Sequence, residues 1–157
     1  MIATSHLITG ALIGKNVKKP LALVLLLALS SHLVLDILPH YGPDDTTARG
    51  FIVVLSLDIL LYIIIISKLV FTRPKKLKAI LLAGLVATVP DLLWIPYWLK
   101  DLSGVSYDFD PLSGFLSSIQ WAEKPVFILV DIVWITAFSW LLFSSTKSNM
   151  PKESLRA

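Results

Sequence analysis

The imidazoles and carboxylates most able to do chemistry in this chain sit where such groups are rarest. His6, His32, Asp36, Asp58, Asp91 and Asp131 all fall inside strongly apolar stretches, with His40 at the margin of one. An ionisable group surrounded by lipid-like surface is costly unless it is paired or bound to something, so residues of this kind mark candidate functional sites. The best-defined pattern is Ser31-His32-Leu33-Val34-Leu35-Asp36-Ile37-Leu38-Pro39-His40. His32, Asp36 and His40 follow one another at i, i+4 and i+8, which on a continuous helix makes a single stripe. Imidazole nitrogen and carboxylate oxygen on one stripe suit Zn²⁺ or another divalent transition metal such as Mn²⁺. The competing reading is an interhelical hydrogen-bond cluster, with His40 an ordinary loop histidine.

The remaining polar residues are read against that stripe. His6, in Ala3-Thr4-Ser5-His6-Leu7-Ile8-Thr9-Gly10, is either a satisfied core histidine or a further ligand. Asp91 follows Pro90, and a proline frees a backbone carbonyl one turn earlier and kinks its helix. A carboxylate beside such a kink is a ligand or a hydrogen-bond partner for a histidine. Asp58 and Asp131 could orient a histidine, act as a general base, or serve a polar group elsewhere.

The elements that must position these groups are helices. Four stretches, 20–39, 50–71, 77–99 and 125–143, are long enough to cross a bilayer, which needs roughly 20 apolar residues, and are expected to be four long transmembrane helices. In lipid the backbone must satisfy its own hydrogen bonds, which selects helix over open strand. A shorter segment, 2–14, is expected to be a short tilted span, a half-span packed among the others, or an interfacial helix. Its Gly10 and Gly14 form a GxxxG that permits close helix contact. No charged leader and cleavage pattern marks it as a signal peptide.

Lys15, Lys18 and Lys19, then Arg73, Lys75, Lys76 and Lys78, and finally Lys147, Lys152 and Arg156 occupy alternate connections and the tail. By the positive-inside rule these face the cytoplasm, giving a multi-pass protein of the inner membrane with a cytoplasmic C-terminus. The polar residues then share one depth. Asp58 lies eight residues inside Gly50, Asp91 eight inside Leu99, Asp131 six inside Pro125, and His32 seven from Pro39. At ~1.5 Å per residue, all fall within about 12 Å of the outer boundary.

Composition agrees with one membrane-embedded helical domain, 1–157: 55% of the chain is hydrophobic and no cysteine is present, with a mean hydropathy of +0.76. Thiolate metal sites and disulfides are therefore excluded. The net charge of +3 reflects topology rather than nucleic-acid binding, since no basic patch with interleaved aromatics occurs. Membrane lipids are the expected partners; the oligomeric state is not set by these features. The connection 100–124 carries Tyr107, Phe109, Phe115 and Trp121 and reads as a packed loop or interfacial helix.

The segments TSHLITGALIG and SHLVLDILPH, with VPDLLW at Val89–Trp94 and the run from Ser118 to Pro125, resemble the LexA-regulated, YdjM-type inner-membrane proteins. That family of metal-dependent hydrolases is distantly grouped with zinc-dependent phospholipase C. The resemblance implies an all-helical bundle with a site built from His6, His32, Asp36 and Asp91. The chain departs from the family at Leu92 and Leu93, where a second aspartate is expected, and at Leu116, where a histidine is expected. With three histidines in all, it suits one metal, or two bridged by carboxylates, rather than a trinuclear cluster.

Three functions follow as expectations. A hydrolase would use metal-activated water, with Asp58 or His40 taking the proton, on a lipid headgroup or amphiphilic phosphoester. A non-catalytic structural or assembly protein would use the same polar cluster to hold its helices together. A proton or ion pathway would need acidic or histidine residues in the inner halves of the spans, and none is present there.

Overall fold

A computed structural model describes residues 1–41, 48–94 and 125–144. These are helical throughout, joined by turns. The helices are α1 (Ala3–Asn16), α2 (Leu21–Ile37), α3 (Ala48–Thr72), α4 (Leu77–Thr88) and α5 (Ile128–Ser144), with 3-10 segments at Val89–Trp94 and Pro125–Phe127. Residues 42–47, 95–124 and 145–157 lie outside the described residues, so the aromatic connection, Leu116 and the run from Ser118 to Lys124 are not placed.

The short α1 is the centre of the bundle and touches α2, α3, α4 and α5. Of the three arrangements open to segment 2–14, packing among the other helices is the one found: Thr4, Ser5, His6, Leu7, Ile8, Gly10, Ala11, Leu12 and Gly14 are all buried. The GxxxG works against α4. A methyl group at Gly10 would collide with the Ala83 carbonyl, and one at Gly14 with the Ala79 backbone. Gly84 in turn lies under Leu7. Small residues on both helices thus let the backbones approach, and Ala83 and Ala87 complete the contact with Val24 and Ala28 of α2.

Proline and local geometry end the helices. The span expected over 77–99 is an α-helix only to Thr88; it tightens into a 3-10 turn over Val89–Trp94 because Pro90 has no N–H to donate. The i+8 stripe also breaks. Leu38 is extended, at φ −76° and ψ 150°, because the residue before a proline is pushed out of the helical region. His40 therefore leaves the helix that carries His32 and Asp36. At the other end of the molecule α3 stops where Arg73 turns to φ 43°, ahead of Pro74.

The surface is inverted relative to a water-soluble bundle. Leu26, Val53, Leu57, Phe71, Val133 and Trp140 are all exposed while His6, His32, Asp36, Asp58 and Asp131 are buried. Among the described residues one helix, Ile52–Thr72, is long and apolar enough to cross a membrane; Leu21–Ile37 and Ile128–Ser144 are apolar but shorter. Only 17% of the Ile52–Thr72 window is buried, unlike the core helix of a soluble protein.

Candidate metal centre

His32 and Asp36 leave α2 one turn apart, on the same face, and meet His6 from α1. The His32 Nε2 is 3.0 Å from Asp36 Oδ2, and the His6 Nε2 is 3.2 Å from Asp36 Oδ1. The two imidazoles stack with centroids 3.8 Å apart and planes 23° from parallel. Each of the three residues is no more than 2% exposed. Their ligand atoms lie within 4.8 Å of one another, so this buried group could hold a metal ion.

Proton placement gives the arrangement its meaning. His32 Nδ1 is 2.8 Å from the Ala87 carbonyl oxygen. A carbonyl only accepts, so Nδ1 carries the proton, and in a neutral ring Nε2 is left with a lone pair. That lone pair faces a carboxylate oxygen, an unfavourable meeting unless a proton or a cation lies between them. His6 makes the same point differently. Its Nε2 is within ion-pair distance of Asp36, and neither of its buried ring nitrogens has a hydrogen-bond partner among the described residues. Stacked rings also suit two neutral imidazoles better than two cations. The fixed lone pair of His32 and the ring nitrogen of His6, both turned to one carboxylate, fit the donor set of a divalent metal, and a backbone carbonyl fixing the far nitrogen is the usual support for such a ligand.

Pro90 makes that support available. In the i→i+3 pattern that takes over after Thr88, the donor to Ala87 O would be the nitrogen of Pro90, which has no hydrogen. The freed carbonyl is taken by His32.

Asp91 stands at the edge of the group. Its Oδ1 is 3.9 Å from His32 Nε2 and its side chain is 21% exposed. Its Oδ2 is a buried atom with no hydrogen-bond partner among the described residues. The Met1 amino group also reaches the cluster, 2.9 Å from Asp36 Oδ1.

The other two aspartates hold α1. Helix α1 supplies no side-chain cap of its own and no acidic residue in its first turn. Asp58 of α3 accepts from Ala3 N at 3.0 Å and from Thr4 N at 3.1 Å. Asp131 of α5 accepts from Ile2 N at 3.3 Å, from Ser5 Oγ at 2.9 Å and from Tyr41 N at 2.9 Å. Two carboxylates at a helix N-terminus satisfy orphan N–H groups and oppose the positive end of the helix dipole. His40 is buried, with Nδ1 2.6 Å from Leu38 O, and is not among the three residues whose ligand atoms converge.

The shared depth read from the sequence thus corresponds to a shared neighbourhood: six residues from five helical elements meet around the start of α1. Sequence reasoning missed the Ala87 carbonyl, the Met1 nitrogen and the hydroxyls of Thr4 and Ser5. Only the last pair left a signal, as polar residues beside His6 in an otherwise apolar helix. No family model, curated protein or solved structure matches the chain.

Proposed function

We propose that the chain is a membrane-embedded, metal-dependent hydrolase of the YdjM-type kind, acting on lipid or amphiphilic phosphoesters. The observation that carries this reading is the fixed tautomer of His32, whose Nε2 lone pair is directed at Asp36 beside His6, whose ring nitrogens have no hydrogen-bond partner among the described residues. His6, His32 and Asp36 would hold the ion, with Asp91 at its edge left for proton transfer; zinc is the first choice for two imidazoles and a carboxylate, manganese the second. When bound, a divalent ion there would polarise an ester oxygen and make water a nucleophile near neutral pH.

The chain's own residues divide the remaining work. Asp58 was expected as a proton acceptor, but both its oxygens are engaged by the α1 backbone. His40 donates through Nδ1 to Leu38 O and is not among the residues whose ligand atoms converge. Asp91, whose Oδ2 has no hydrogen-bond partner among the described residues and whose side chain is partly exposed, is the better-placed base. The inverted surface supports multi-pass embedding, with apolar side chains of α2, α3 and α5 turned outward. Alternating basic connections support a cytoplasmic C-terminus, which puts the His/Asp cluster in the outer half of the bilayer.

The reading of the cluster as a packing device alone is the alternative, and one measurement separates the two. Metal content by mass spectrometry of detergent-purified protein should be near-stoichiometric in the wild type and at least tenfold lower in both His32→Ala and Asp36→Ala. Phosphoester hydrolysis by the loaded wild type, abolished in Asp91→Asn, should accompany it. Metal-free wild type after reloading with zinc and manganese would leave the packing account standing. Bound metal with no turnover on any phospholipid would reduce the claim to a metal site.

A further inference from the structure

The end of the molecule opposite the His/Asp cluster holds a second candidate site. Where the α1–α2 connection meets the start of α4, a cavity of 480 Å³ is lined by Lys18, Lys19 and Lys76 together with Val17, Leu21 and Val24. Its volume is in the range of small-molecule sites. None of the three lysines forms a salt bridge among the described residues. The only hydrogen bond described for them is from Lys76 Nζ to Lys15 O, at 3.3 Å. No acidic residue occurs in 15–20 or 73–78, which also hold Lys15, Arg73, Lys75 and Lys78. Lys15 is occupied elsewhere, donating to Leu141 O and Leu142 O at the end of α5.

We propose that this cavity binds the headgroup of an anionic phospholipid. Three lysines without counter-charges supply donors for a phosphate. The apolar wall supplies what a free phosphate would not use: Val17, Leu21 and Val24 line the cavity beside the lysines, and Leu21 is 42% exposed, so the start of an acyl chain can lie against them. The site is distinct from the proposed metal centre, and it rests on the membrane reading of the helices but not on catalysis.

Native mass spectrometry of the purified full chain tests this, with phosphatidylglycerol and phosphatidylcholine offered separately. The wild type should retain one phosphatidylglycerol at least tenfold more readily than phosphatidylcholine. Lys18→Gln/Lys19→Gln/Lys76→Gln should lose that preference, and the single Lys19→Glu should weaken it. The equally discharged Arg73→Gln/Lys75→Gln/Lys78→Gln should keep it. Equal retention of the two lipids by the wild type, or equal loss in both triple variants, would overturn the proposal, as would displacement of the lipid by millimolar inorganic phosphate. Metal content measured on the same samples keeps the two proposals apart: loss of lipid with metal intact removes only this one, and absence of metal with lipid retained removes only the hydrolase.

Discussion

At the scale of single residues, three buried aspartates perform two different tasks. Asp36 faces the ring nitrogens of His6 and His32 beside the Met1 amino group and has the surroundings of a ligand, whereas Asp58 and Asp131 face backbone N–H groups and serve as caps. Substitution should separate these tasks. Asp131→Asn replaces an acceptor oxygen with an amide donor facing the N–H of Ile2 or Tyr41, and an unsatisfied buried donor costs about 1–3 kcal/mol. Thermal unfolding in detergent should show a lowered midpoint, with metal still bound to the folded fraction; Asp36→Ala should lose metal. An unchanged midpoint in Asp131→Asn would remove the capping role. The pairing of His32 with Asp36 was legible in the sequence because four residues on a helix is a local relation. The division of labour among the aspartates was not, since the groups that Asp58 and Asp131 cap lie 54 to 129 residues away in the chain.

At the scale of elements, two prolines account for the main departures from a uniform bundle of long helices. Pro39 ejects His40 from the stripe, and the restriction that proline imposes on its predecessor could have signalled this. Pro90 shortens α4 and frees the carbonyl that orients His32. The kink was legible in the sequence; the recipient of the carbonyl was not, because it comes from α2. Pro90→Ala should restore a backbone donor to Ala87 and set it in competition with His32 Nδ1. Loss of such an outer hydrogen bond typically weakens a metal site by about 10–100-fold. Zinc titration with a competing chelator should therefore show a weaker site in a protein that melts no lower than the wild type. Undiminished affinity would mean that the Ala87 contact does not tune the ligand.

At the scale of the whole molecule, charge and polarity separate along the bundle, with the His/Asp cluster at one end and the lysine-rich connections at the other. The absence of native cysteine makes the orientation directly measurable. In intact cells a membrane-impermeant maleimide should label Asp44→Cys and Asp108→Cys but reach Lys18→Cys and Lys147→Cys only after permeabilisation; the reverse pattern would invert the topology. The central place of α1 has a further consequence, for biogenesis. This helix is made before everything that holds it: its N-terminus waits for Asp58 and Asp131, its glycine face for Ala79 and Ala83, and its Lys15 for the end of α5. With only 14 residues and a polar first turn, it has little to retain it in a bilayer alone. A helix that precedes all its partners in the chain is therefore the last to gain its native surroundings, and nascent chains arrested before α5 should leave α1 open to protease.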